Sequence, residues 1–167
     1  MKRENSSKKP YNLSILFFIS FLTIVDQLSK IYIVNSFNHF ETLNFFSFIN
    51  ITFVKNFGGA FNLFNDPLLE ISFIFTLLTT LICLILFIGI FTDLLLKNIS
   101  NIERFLWAMI LAGGLGNVID RYSRGYVVDF IDITFNPYIF NFADCYVTLG
   151  VVFLILYSFK KPKSNDG

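Results

Sequence analysis

Ile-Ser-Phe-Ile-Phe-Thr-Leu-Leu-Thr-Thr-Leu-Ile-Cys-Leu-Ile-Leu-Phe-Ile-Gly-Ile-Phe-Thr, residues 71–92, contains no charged residue and no proline. A run of about 18 or more apolar residues is long enough to cross bilayer hydrocarbon as a helix. Only Ser, Thr, Cys and Gly interrupt this one, so it reads as a lipid-facing or bundle-supporting span. Working outward, apolar runs of similar length recur, and spans are expected at about 13–34, 70–92, 103–120 and 139–159. The composition agrees: 54% of residues are hydrophobic and 15% charged, with 23 phenylalanines, where soluble domains carry roughly 25% charged residues. The chain is therefore expected to be a single integral membrane domain over residues 1–167, an all-α membrane bundle of four transmembrane helices. The net charge of +1 says nothing about nucleic acid, but no basic stripe exists beyond the two tails and no nucleic-acid partner is expected. The basic start (Lys2, Arg3, Lys8, Lys9) imitates a signal peptide. The apolar run that follows continues to Val34 without a small-x-small cleavage site, so a retained span is expected.

Orientation follows from Lys and Arg. Lys2, Arg3, Lys8, Lys9, Lys97, Arg104, Lys160, Lys161 and Lys163 fall on one side of this topology, against Lys30, Lys55, Arg121 and Arg124 on the other. The positive-inside rule then puts both termini in the cytoplasm and the 35–69 and 121–138 connections outside. Those connections are not simple loops. Residues 43–64 and 126–135 mix Phe, Ile and Val with Ser, Thr and Asn in imperfect alternation, which predicts extended segments, with Gly58-Gly59 as a turn or close backbone approach. A small extracytoplasmic β-sheet lying on the membrane surface is expected.

Asp129, in Val-Val-Asp-Phe (127–130), and Asp144, in Phe-Asn-Phe-Ala-Asp (140–144), are delivered by this topology to the outer face. An ionisable residue at membrane depth is costly and marks a functional hypothesis. Two carboxyls sharing one site can activate water, one ionised and one protonated; which is which stays open. Asn56, Asn117 and Asn141 supply carboxamides nearby, and Asn141 shares a helix face with Asp144 at i, i+3. Asp26 and Lys30 have the i, i+4 spacing of a helical ion pair, with Lys30 also able to reach the interface and Asp26 a candidate lining residue. Asp120 is expected to pair with a nearby cation, and Arg121 to hold a carboxylate or a lipid headgroup. Ala112 and Gly116 form a small-xxx-small pair for close helix approach.

Other chemistries lack their residues. The single histidine, His39, leaves no His-Glu-x-x-His zinc motif, and no Gly-x-Ser-x-Gly is present. Cys83 and Cys145 have no histidine neighbours and read as packing residues, so neither metal nor cofactor is expected. A proton-coupled carrier using Asp26, Asp129 and Asp144 and a non-catalytic scaffold remain as alternatives. The carrier would need polar residues through the whole bundle depth.

Five segments in series, Asp-Gln-Leu-Ser-Lys (26–30), Asn-Phe-Gly-Gly-Ala-Phe (56–61), Gly-Gly-Leu-Gly-Asn-Val-Ile-Asp-Arg (113–121), Gly-Tyr-Val-Val-Asp-Phe (125–130) and Phe-Asn-Phe-Ala-Asp (140–144), resemble the lipoprotein signal peptidase (signal peptidase II) family. The resemblance implies an aspartic endopeptidase of the bacterial cytoplasmic membrane that removes the signal peptide of prolipoproteins just before a diacylglyceryl-modified cysteine. It places the catalytic pair on Asp129 and Asp144. The supporting positions fall on Asp26, Lys30, Asn56, Gly58, Asn117, Asp120, Arg121, Asn141 and Ala143. It further implies lipid-modified prolipoproteins and membrane lipids as partners, inhibition by the cyclic peptide globomycin, and a monomer.

Overall fold

The computed structural model describes residues 8–58, 71–92, 96 and 99–160. In chain order the elements are α1 (Lys8–Ser36), β1 (Thr42–Phe46), β2 (Ile49–Asn56), α2 (Ile71–Phe91), α3 (Asn101–Arg124), β3 (Val127–Ile133), β4 (Ile139–Phe140) and α4 (Phe142–Lys160). All four helices are long and apolar enough to span a membrane.

Their surfaces are inverted relative to a soluble protein. On α1, Leu13, Phe17, Phe21, Ile24, Leu28 and Ile31 recur every three or four residues and are exposed, Phe17 by 72%. The opposite face carries Asp26 and Lys30, each 0% exposed. Hydrocarbon outside and polar groups inside is the arrangement a lipid solvent selects. On α2 the polar groups are satisfied within the helix: the hydroxyls of Thr76, Thr79 and Thr80 each donate to the carbonyl four residues back at 2.7 Å.

The third helix is the hub, packing on α4, α1 and α2. Without a hydrophobic drive between helices in lipid, association depends on close backbone approach. Successive residues on a helix point about 100° apart, and three glycines use this to admit three neighbours. A Cβ on Gly113 would strike the Ala143 carbonyl and Val147 of α4, one on Gly114 would meet Cys83 Sγ of α2 at 2.6 Å, and one on Gly116 would strike the Asp26 carboxylate of α1. Ser100 caps the helix in a reciprocal box with Glu103, and Gly125 ends it at φ 79°.

Connectivity puts the strands at one end of the bundle, where α1 and α3 end and α2 and α4 begin. They form an antiparallel sheet of order β1-β2-β3-β4. Val54 faces Asp129 and Asn56 faces Val127 across the β2–β3 ladder, with a bulge between Ile51 and Val54. Phe53, Val128 and Phe130 pack with Ile33 of α1 beneath the sheet. A second apolar cluster, Ile15, Ile19, Cys83, Ile90, Ala108, Leu111 and Ala112, fills the bundle half away from the sheet. Between α1 and β1, Phe40 adopts φ 68°, alone among the described non-glycine residues. A side chain in that region costs about 1–2 kcal/mol, and the Phe40 N–H donates to the Phe53 carbonyl at 2.8 Å to hold it there.

The four-span bundle with a small sheet is the expected fold class. Three details differ. Residues 139 and 140 form β4 instead of opening the fourth span, because Asn141 caps α4 and starts it at Phe142. The third helix continues past 120 to Arg124, its late charges being paired between Asp120 and Arg124 at i, i+4. The 43–64 segment is two strands around a tight turn at residues 47 and 48. Its end from residue 59, including the second glycine of the 58–59 pair, lies outside the described residues.

Candidate active site

Asp129 lies mid-strand in β3, not at a helix mouth, and is buried, 3% exposed. Pleating sends it to the sheet face opposite Phe53 and Val128, with Val54 and Asn56 of β2. Its Oδ2 accepts from Asn56 Nδ2 at 2.9 Å and its Oδ1 from Asn141 Nδ2 at 2.6 Å. Burial first, and the neighbouring charge of Asp144 second, push the Asp129 carboxyl up to about 7, against the opposing pull of the two amides and Lys30.

Asp144 is half-buried in the first turn of α4, where the helix dipole favours a negative charge. Its N–H donates to Asn141 Oδ1 at 3.0 Å, and its Oδ2 accepts the Asn141 N–H at 3.2 Å, a reciprocal cap. Asn117 Nδ2 donates to Asp144 Oδ1 at 2.8 Å. Asn141 therefore touches both acids, and Asn117 is held against Asp144 from below.

Beneath the acids lies a fully buried ionic layer. Lys30 Nζ reaches Asp26 Oδ2 at 2.9 Å, Asp120 Oδ2 at 3.0 Å and Asn117 Oδ1 at 3.0 Å. The expectation that Lys30 extends to the interface is thus corrected: three acceptors inside the bundle outcompete the headgroup region. By occupying the oxygen of Asn117, Lys30 turns its NH2 toward Asp144. Asp26 Oδ1 accepts the Ala143 N–H at 2.9 Å, tying α1 to the residue beside Asp144. Asp120 also pairs with Arg124 and accepts the Val128 N–H at 3.0 Å, which fixes β3 one residue before Asp129.

Arg121 donates to the Gly58 carbonyl at 3.3 Å, a backbone oxygen in place of the carboxylate or headgroup expected. Its charge is felt by Asp144 and Asp129. Among the described residues, Arg121 Nε and Asn56 Oδ1 are the buried side-chain polar atoms with no hydrogen-bond partner. Such orphans in a site call for an explanation.

All eleven residues singled out in the sequence thus lie in or against one cluster at the sheet end of the bundle. Sequence reasoning passed over Gln27 and Arg124. Gln27 Nε2 donates to the Gly116 carbonyl at 3.0 Å and to Asp120 Oδ1 at 3.3 Å, while its Oε1 accepts from Arg124 at 3.3 Å. The signal was present, a carboxamide inside a span beside Asp26. His39 is structural: its Nε2 accepts the Lys55 N–H at 3.2 Å, and burial, then Lys55, hold it below the usual imidazole range. Among the described residues no cluster of three His, Cys, Asp or Glu side chains is placed to hold a metal ion.

The family model for signal peptidase (SPase) II matches residues 18–160. The lipoprotein signal peptidase of Shewanella amazonensis is 34% identical over 148 residues, 86% of this chain and 85% of the relative. That of Pasteurella multocida is 33% identical over 157 residues, 92% of this chain and 93% of the relative. A solved bacterial membrane enzyme structure superposes with a TM-score of 0.74 at 28% identity, covering 92% of both chains. An acid pair joined through one asparagine, one acid on the sheet and the other at the start of α4, is thus found in a chain that belongs to the signal peptidase II family, a family of membrane proteases.

Proposed function

We propose that this protein is a membrane aspartic endopeptidase that removes the signal peptide of diacylglyceryl-modified prolipoproteins, cutting just before the lipidated cysteine. The observation that carries the reading is the linkage of buried Asp129 and half-buried Asp144 through Asn141. Asp144 is the base. It lies in the first turn of α4, and Asn117 Nδ2 and the Asn141 N–H both donate to its oxygens, which leaves it placed to accept a proton from water. It draws a proton from water as the water attacks the scissile carbonyl. Asp129, protonated up to about pH 7, gives its proton to the developing oxyanion; Asp144 then passes the proton it took from water to the leaving amine, and the collapsing gem-diol returns a proton to Asp129. The orphaned Arg121 Nε and Asn56 Oδ1 are filled by a carbonyl and an N–H of the extended substrate backbone.

The protein sits in the bacterial inner membrane with the sheet and site on the extracytoplasmic side, working as a monomeric single domain. The Lys and Arg asymmetry supports this, strengthened by the burial of Lys30 inside the bundle, which removes it from the outer count. The substrate's acyl chains stay in lipid between spans while the peptide crosses the sheet face.

The test is cleavage of a diacylated prolipoprotein peptide, with globomycin as a competitor. Asp129→Asn and Asp144→Asn are each expected to lose about 10²–10⁴-fold in kcat/KM while remaining folded. As pH rises through about 7 Asp129 gives up its proton, so the alkaline limb of the wild-type profile should fall there. Normal turnover by both variants would sink the reading.

A further inference from the structure

Where α3 gives way to β3, Arg124 pairs with Asp120 at i, i+4 and donates to Gln27 Oε1 of α1 at 3.3 Å. We propose that Arg124 is a positioning residue for the peptidase reaction: it neutralises the buried ionic layer beneath the acids and, through Asp120, fixes the backbone that carries Asp129. The proposal rests on the peptidase reading above and adds to it a residue that touches neither acid. A basic residue in the last turn of a helix ordinarily acts on the helix dipole alone, and an exposed pair of this spacing contributes little. Three observations set Arg124 apart.

The first is the charge of the layer. Asp26, Lys30 and Asp120 are each 0% exposed. Asp26 is met by donors, Lys30, Gln27 Nε2 and the Ala143 N–H, as an ionised carboxylate requires. Two carboxylates against one ammonium leave a negative charge in excess, and an uncompensated buried charge is costly. Arg124, its side chain 19% exposed, meets Asp120 on the oxygen that Lys30 does not use, so the layer closes at zero. Arg121, three residues earlier, interacts most with Asp144, next with Asp129 and least with Asp120. The two arginines thus divide the work, one serving the acid pair and the other the layer below it.

The second is the saturation of Asp120. An ionised carboxylate offers about four acceptor sites. Oδ1 accepts from Arg124 and from Gln27 Nε2 at 3.3 Å, and Oδ2 from Lys30 and from the Val128 N–H, both at 3.0 Å. With Arg124 holding Oδ1, Oδ2 stays turned toward β3. The third is what depends on that last bond. Val128 is gripped at both its backbone groups, for its carbonyl accepts Asn141 Nδ2 at 3.3 Å. The same nitrogen donates to Asp129 Oδ1 at 2.6 Å. A displacement at Arg124 therefore reaches Asp129 and the asparagine that joins the acids together.

The ionisable groups around Asp129 come from each neighbouring element. The first helix supplies Asp26 and Lys30, the third Asp120 and Arg121, and the fourth Asp144, with Cys145 and Tyr146 following it. In the sheet, Lys55 Nζ lies over the Tyr126 ring at 5.2 Å, and Asp132 accepts from Thr52 at 2.8 Å. His39, before β1, accepts the Lys55 N–H at 3.2 Å. Removing the Arg124 charge leaves all of these in place and exposes the acid pair to the excess negative charge of the layer. A nearby negative charge makes a carboxyl keep its proton to higher pH, so Asp129 should then hold its proton beyond about 7.

The test is kcat/KM against pH for a diacylglyceryl-modified prolipoprotein peptide. Arg124→Gln should move the alkaline limb up by about half a pH unit or more and lower the rate at pH 6 about tenfold. Arg124→Lys, which keeps the charge, should return the limb to its wild-type place. Gln27→Glu keeps the shape of Gln27 but adds an acid in front of Arg124, and should move the limb up with Arg124 present. Gln27→Met removes hydrogen bonds without changing charge and should leave the limb where it is. A role confined to stability would lower the melting temperature and the rate of Arg124→Gln without displacing its limb, and that result would overturn the proposal. If Arg124→Gln does not accumulate, Gln27→Glu decides, and an unmoved limb there overturns it. A wild type that cleaves nothing overturns the peptidase reading and this role with it, whereas cleavage that Asp129→Asn abolishes upholds the reading wherever the limbs fall.

Discussion

Asp129 holds its proton up to about pH 7 in the folded chain, while its ordinary value is 3.8. A carboxyl that binds its proton more tightly when folded contributes stability that is complete below about pH 4 and lost as pH rises toward 7. Asp129→Asn removes the charge without changing the shape, and the unfilled Asn56 Oδ1 lets that amide turn to accept from the new NH2. The variant is therefore expected to melt a few degrees above the wild type at pH 8, with the gap narrowing at pH 5. Thermal unfolding in one detergent at both pH values checks this, and an equal gap at the two would refute it. The Asn141–Asp144 pair was legible in the sequence, because i, i+3 spacing already implied a shared face. The Asn56–Asp129 bond was not, since those residues are joined only by β2–β3 register, which a bulge shifts.

At the scale of elements, α3 turns three consecutive-face glycines toward three different helices. Gly114→Ala would set a methyl against Cys83 Sγ and is expected to cost about 1–3 kcal/mol, the usual range for overpacking. Cys83→Ala in the same chain should recover most of it, because the obstructing sulfur is gone. Equal losses in the single and double variants, by reversible unfolding in micelles, would mean that α2 does not rest there. The spans were readable because lipid demands long apolar runs. Their ends were less so: Ile139 and Phe140 are apolar in strand and helix alike, and only the Asn141 cap separates the two. Small residues at 112 and 116 pointed to close packing, but nothing in a linear pattern assigns each glycine to its neighbour.

Across the whole molecule, Lys30 connects α1, α3 and the acid pair through bonds to Asp26, Asp120 and Asn117. Removing one partner from a buried ionic group is far worse than never having built it. Lys30→Met should lower unfolding free energy by about 3–5 kcal/mol, and adding Asp26→Asn should restore part of it. Full stability in Lys30→Met would show that the layer is not what joins the helices. Below it the chain changes character. Ile15, Ile19, Ala108, Leu111 and Ala112 close the other half of the bundle with hydrocarbon. That plug works as electrical insulation. A peptidase of the proposed kind, shuttling protons inside an energised membrane, risks short-circuiting it, and this dry half of the bundle separates the acid pair from the opposite ends of the helices. The same wall denies a carrier its conduit, so the proposed acid–base chemistry would run without draining the voltage across the bilayer.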